Sequence, residues 1–169
     1  MRGWSNRLGW SGIRPEMEST RERLIKGLVA GLVAGLVATA VKTLAEKIYP
    51  PRTHGEVEPP DALADKLAGR HLTGVEQAVA SGAIHWGYGA LTGAAYGALA
   101  EFYPAASAQE GASFGLALMS LTHEKALPAL GVGADPEDQT LREKSSEAAT
   151  HVMFGVVTEK VRGIVRKML

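Results

Sequence analysis

Gly27–Arg52 reads GLVAGLVAGLVATAVKTLAEKIYPPR. One four-residue word repeats, so Gly27, Gly31 and Gly35 fall along one side of a helix and Leu and Val along the others. No charge interrupts Gly27 to Val41, and the rod from about Lys26 to Tyr49 has the roughly 20 residues that a bilayer-spanning helix needs. Glycine at every fourth position lets helix backbones approach closely where lipid removes the usual hydrophobic drive. Pro50 and Pro51 stop the rod. Lys42 and Glu46, one turn apart near its end, are the anomaly.

Three further segments resemble the first in composition. AVASGAIHWGYGALTGAAYGALA, Ala78–Ala100, has no Asp, Glu, Lys or Arg, repeats the spacing with Gly89, Gly93 and Gly97, and reads as the clearest span. Its ending LAEFYP echoes LAEKIYP at the end of the first rod, a weak internal repeat. The third segment, about 107–130, holds GASFGLALMSL and then His123, Glu124 and Lys125, with Pro128 bending or ending it. The fourth, about 144–167, is apolar from Ala148 to Val157 except at His151. The expected architecture is all-α: a four-helix transmembrane bundle over 23–169, with Gly/Ala-rich interfaces and helices at about 26–49, 78–101, 107–130 and 144–167. A basic tail, 1–22, precedes it, and Trp4 and Trp10 there are expected to anchor at headgroups. A polar, acidic linker spans 50–76; within it PPDALADKLAGR reads as a short amphipathic helix capped by Asp61 and closed by Gly69.

Composition narrows the function classes. Lysine plus arginine equals aspartate plus glutamate, 18 each, so there is no charge excess of the nucleic-acid-binding kind. The chain has no cysteine, which excludes a disulfide scaffold, a thiolate nucleophile and a Cys-ligated metal. Gly3 to Thr20 lacks the apolar run of a signal peptide. Basic residues crowd both termini, Arg2, Arg7, Arg14, Arg21, Arg23 and Lys26 at one and Lys160, Arg162, Arg166 and Lys167 at the other. The linker and the loop near 135–143 are acidic. With an even number of spans, the positive-inside rule puts both termini in the cytoplasm.

Antiparallel neighbours bring the polar residues to one depth. Lys42 and Glu46 lie in the outer half of the first helix, and His85 two turns into the returning second. His123 lies past the middle of the third, and His151 two turns into the fourth, with Glu147 one turn before it and Gly155 one turn after on the same face. Ionisable groups cost at least about 2.5–3.5 kcal/mol each near a bilayer centre, so they face the interior and pair. Lys42 with Glu46 is the expected local pair. Arg52 is either an interfacial arginine beyond a helix stop or a cap on the layer that pairs with a carboxylate such as Glu147. His54 and His71, in the linker, read as solvated or structural.

The segments GLVAGLVATAVKTLAEKIYPPR, HWGYGALTGAAYGALAEFYP, LTHEKALPALG and SSEAATHVMFG together resemble the YagU-like family of bacterial inner-membrane proteins, over about residues 27–165. The matching positions are Lys42, Glu46, Pro50, Pro51 and Arg52; His85, Tyr96, Glu101 and Pro104; His123, Pro128 and Gly131; and Glu147 and His151. The first outer linker is shorter than in that family. The resemblance implies a small multi-span inner-membrane protein of undefined function, homo-oligomeric and linked to acid or envelope stress tolerance.

Three functional readings stay open. The layer Lys42, Glu46, Arg52, His85, His123, Glu147 and His151 senses or conducts protons or small cations, since unperturbed imidazoles titrate near pH 6.5. Alternatively it only fixes packing in a structural membrane protein that oligomerises through Gly27, Gly31, Gly35, Gly89, Gly93 and Gly97. Or the bundle binds a metal or haem, with His85, His123 and His151 as candidate ligands; no cofactor is otherwise expected. Catalysis has no support: Ser113 and Ser120 near His123 make no triad, and the glycines lack a phosphate loop's Lys-Ser/Thr ending. The expected partners are the lipid bilayer and further copies of the chain, with no nucleic acid.

Overall fold

The structure is a computed structural model, and it describes residues 18–52, 55–132 and 137–169. The tail with Trp4 and Trp10, its first arginines, and His54 lie outside the described residues. The described residues are helical, with no strand among them. In chain order they form α1 (Thr20–Ile48), α2 (Pro59–Ala68), α3 (Gly74–Phe102), a 3₁₀ segment (Pro104–Gly111), α4 (Ala112–Leu121), a π turn (Thr122–Ala126), α5 (Leu127–Leu130) and α6 (Leu141–Met168).

Local chemistry sets the ends. Ser19 caps α1 by accepting the Glu22 N–H at 3.1 Å. Thr140 and Glu143 form a reciprocal capping box at the start of α6. Glu58, not Asp61, occupies the N-cap of α2, with no side-chain cap bond. Pro59 and Pro60 fill the first helical positions, where a missing N–H costs nothing, and this moves Asp61 into the first turn. Gly69 closes α2 in the left-handed conformation, φ +66°.

The third expected helix is not continuous. Gln109 and Glu110, at φ +53° and +56°, and Gly111, at φ +91°, turn the chain so that α4 begins only at Ala112. Further on, the Leu127 N–H reaches back five residues to the Thr122 carbonyl. That wide turn sits just before Pro128, which has no N–H to give.

α1 lies between α3 and α6, and α6 between α1 and α4. The glycines of the two rods face each other within the chain. A Cβ on Gly31 would stand 2.1 Å from the Gly93 carbonyl oxygen, one on Gly35 2.2 Å from that of Gly89, and one on Gly97 2.1 Å from that of Gly27. A second seam joins α4 to α6. A Cβ on Gly155 would meet the Gly111 carbonyl oxygen at 2.2 Å, and one on Gly115 would meet that of His151 at 2.0 Å.

The interior is therefore built from small and polar residues. Ala30, Ala34 and Ala38 are fully buried with Thr39, Thr150 and Thr158, and Tyr96 and Phe154 supply the bulk. The buried threonines return their hydroxyls to their own helices, as Thr39 does to the Gly35 carbonyl at 2.7 Å. The large aliphatics point outward: Leu24, Ile25, Leu28, Val29, Leu32, Val33 and Val37 on α1 are all exposed.

Among the described residues α1 alone is both long enough and apolar enough to cross a membrane. Ala78–Ala100 carries no charge, but its glycines, Ser81, His85, Trp86 and Tyr88 dilute its hydropathy. α4 is short, and α6 is charged at both ends.

Candidate functional site

At the end of the bundle where α1 stops and α6 starts, the helices part around a cavity of about 580 Å³. Lys42, Glu46, Arg52, His85, His123, Glu147 and His151 all line it. Tyr49 ties the end of α1 to α6. Ser146 donates to the Tyr49 carbonyl at 2.5 Å, and the Tyr49 hydroxyl pairs with Ser145 at 2.8 Å. α2 forms part of the wall through Pro59, Pro60 and Leu63, and Lys66 ties it to α5 by donating to the Leu130 carbonyl at 2.6 Å.

Glu147 is the centre of the arrangement. Its side chain is 3% exposed, and Arg52, 8% exposed, donates Nη1 to Oε1 at 2.7 Å. The chain turning at Pro50–Pro51 carries Arg52 from the end of α1 onto the first turns of α6. The His123 Nδ1 lies 3.4 Å from Oε1, and the His151 Nδ1 lies 3.4 Å from Oε2. The two imidazoles meet edge to face with centroids 4.9 Å apart. His151 Nδ1 is 2.8 Å from the Glu147 carbonyl oxygen, so that nitrogen carries the proton and donates it. The other carboxylate oxygen, Oε2, is buried with no hydrogen-bond partner.

The second glycine seam makes this meeting possible. Gly115 lays α4 against the α6 backbone at His151, and the π turn then presents His123 to the same spot. The other polar residues form a separate wall. Lys42 pairs with Glu46, and His85 Nε2 lies 3.0 Å from the Thr43 hydroxyl. His85 thus faces α1, and the close cluster is His123, Glu147 and His151. Of the candidate ligands His85, His123 and His151, the last two come together with Glu147, while His85 lines the same cavity from α3.

Sequence reading missed several lining residues. Thr43 and Thr122 each sit next to a residue that was singled out, Lys42 and His123, and a hydroxyl beside an ionisable side chain is the signal. Glu58 had no signal, because a linker's path leaves no periodicity. It lines the cavity although more than a third of its surface stays exposed. Partial burial pushes its carboxyl above the usual value, with Arg52 opposing. His71 is exposed, outside the cavity, and pairs with Asp65 at 2.6 Å. Asp65 also accepts the Leu72 N–H at 2.8 Å, and these two bonds, the backbone one first, hold its carboxyl below the usual range.

The opposite end of the bundle has a second polar cluster. Arg166 donates to Glu101 at 2.7 Å and to Glu18 at 2.5 Å, and Glu18 also accepts Lys26 at 2.7 Å. Arg162 grips Glu159 through two bonds, and Tyr96 donates to the same carboxylate at 2.7 Å. Tyr96 and Glu101, which entered only through the family resemblance, belong to this end.

No curated protein and no solved structure matches the chain. A family model does match, across residues 36–160, a range that includes α3, α4, both faces of the glycine seam between α4 and α6, and every one of the seven cavity residues just described. The chain belongs to that family, the DUF1440 proteins, whose function is unknown.

Proposed function

We propose that the protein is an integral membrane protein whose end cavity takes up small cations and responds to protons, and that it is neither an enzyme nor a pore. One observation carries the reading: seven ionisable residues from α1, α3, α6, the π turn and the Pro50–Arg52 turn line a single cavity. The surface supports the membrane setting. Small residues fill the core and leucines and valines face out, the reverse of a water-soluble bundle. α3 and α6, with 29 and 28 residues, exceed the roughly 20 needed to cross, and Ser146, Glu147, Thr150, His151 and Thr158 of α6 turn inward.

Closed seams favour binding over conduction. Between the cavity and the opposite cluster, Gly35 meets Gly89 and Gly93 backbone to backbone, leaving no room there for a water file. Arg21, Arg23, Lys26, Arg162 and Arg166 gather at the far end, which favours cytoplasmic termini in a bacterial inner membrane. The YagU-like resemblance, with its link to acid tolerance, fits a cavity that senses protons. Because the glycine faces are used within the chain, oligomers would form through the outer aliphatic surface.

Trp86 lies outside the cavity but reports on one residue that lines it, since its ring is edge-on to His85 at 6.2 Å. In liposomes, with Trp4 and Trp10 changed to Phe, its fluorescence should shift with pH. The shift should vanish in His85→Ala, whose imidazole the indole touches, with no proton flux above empty liposomes. Histidine-dependent flux would replace this reading with a pore. A folded protein with no response would leave the polar layer as packing alone, and release by carbonate would remove the membrane setting.

A further inference from the structure

We propose that His123, His151 and Glu147 form a binding site for a divalent transition-metal ion of the zinc class. The inference rests on the cavity being open to small cations, and it names one of them. One donor atom from each residue falls within 4.8 Å of the other two, close enough for small side-chain rotations to bring all three onto one ion. Imidazole and carboxylate together suit zinc, nickel or cobalt rather than magnesium or calcium.

Two details point to a ligand rather than to packing. First, His151 gives its Nδ1 proton to the Glu147 carbonyl at 2.8 Å. That bond fixes the tautomer and leaves the Nε2 lone pair free, the orientation that metal-binding histidines are held in. Second, Glu147 Oε2 is a buried acceptor with no hydrogen-bond partner. Such a group costs about 1–3 kcal/mol unless something satisfies it. A cation bound at Oε2 does so.

The charges nearby tolerate the ion. Arg52 engages the other oxygen, Oε1, and so leaves Oε2 to the ion. Lys42 is paired with Glu46, and Glu58 lines the same cavity as a further carboxylate. Haem does not fit the same residues, because the two rings touch at 4.9 Å and leave no slot for a macrocycle between them. The fourth position of a tetrahedral ion would open onto the 580 Å³ cavity, where water or a small anion can reach it.

The test is calorimetric titration of Zn²⁺ into the full chain in detergent, with Co²⁺ as a spectroscopic probe. The expected result is one ion per chain and the intense visible bands of four-coordinate cobalt. His123→Ala and His151→Ala should each weaken binding by at least about 100-fold, more than the loss of an outer-shell partner does. His71→Ala, outside the cavity, should leave it unchanged. If Glu147→Gln fails to fold, the double variant Arg52→Gln/Glu147→Gln removes the ligand without stranding a charge, and it should bind as weakly. No Zn²⁺ uptake by folded wild type, or uptake that survives both histidine variants, overturns the site. Trp86 is followed with pH in the same metal-free sample. A pH response without zinc binding overturns the metal assignment and keeps the cation-responsive cavity, whereas loss of both overturns both.

Discussion

Glu147 and Glu101 sit at opposite ends of one bundle, with side chains only 3% and 7% exposed, yet their surroundings differ. Glu101 has three arginines around it. Arg166 bonds it at 2.7 Å, and Arg23 and Arg162 each stand 3.9 Å away. Glu147 has one arginine, two imidazoles, an oxygen with no donor and a cavity beside it. The first is a clasp: its charges are saturated by redundant partners. The second keeps an acceptor and a volume unused, which packing alone does not call for. Burial of a carboxylate does not mark a function; an incomplete set of partners beside open space does.

The largest effect should come from breaking both ends at once. A Cβ on Gly93 would lie 2.4 Å from the Gly31 carbonyl oxygen and 2.5 Å from the Gly35 Cα, and neither is a flexible tip. Gly93→Leu would force α1 from α3, taking Arg23 from Glu101 and Thr43 from His85. A loss above about 4 kcal/mol is expected, enough to abolish the folded bundle, read by unfolding in mixed micelles. Gly82, with nothing within 4 Å of an added Cβ, is the internal control. Gly82→Ala should be neutral or stabilising by about 0.5–1 kcal/mol. Equal losses at the two positions would mean that the seam is not where the backbones meet.

Next in size is a difference between the ends. Arg52→Leu removes the one strong partner of a buried carboxylate, so about 3–5 kcal/mol is expected. Arg166→Leu should cost less, about 1–2 kcal/mol, because Arg23 and Arg162 remain near Glu101 and can move in. The same unfolding experiment ranks them. If Arg166→Leu proves the more damaging, the clasp is not redundant and the contrast between the ends fails.

Which parts of this were legible in the sequence follows from what counting residues can do. Counting along antiparallel helices yields depth, and depth put Lys42, Glu46, His85, His123 and His151 on one level. It does not yield azimuth. His85 was therefore grouped with the other histidines, although it faces Thr43. The glycine spacing of α1 and α3 was plain because it repeats; Gly111, Gly115 and Gly155 form a seam across a break in the chain, and only Gly155 stood out. The π turn leaves no mark on hydrophobic periodicity, and Pro128 announced a bend without saying how the backbone would absorb it. The clasp was invisible as a cluster because Glu18, Glu101 and Arg166 are far apart in the chain and each reads singly as an end-of-helix charge.

The smallest effect is the most pointed, because acid should act on the two ends with opposite sign. At the clasp, hydrogen bonds from Arg166 and then Lys26 hold Glu18 down at about 2, against a usual 4.5. A carboxyl depressed in the folded state adds stability above its unfolded value, and that stability is lost as pH falls from 4.5 toward 2. At the cavity, burial raises Glu58 above 4.5. Its contribution is present below 4.5 and is lost as pH rises through the raised value, because the folded state then has to hold a partly desolvated charge. Each slope is read as the stability difference between wild type and one variant across pH 2 to 7. The advantage of wild type over Glu18→Gln should shrink on acidification. The deficit of wild type against Glu58→Gln should also shrink, so that acid weakens one end while relieving the other. Glu58 keeps more than a third of its surface in water, so its slope should be shallow. Two slopes of the same sign would mean that Glu58 is governed by Arg52 rather than by burial, and that the cavity end is a second clasp.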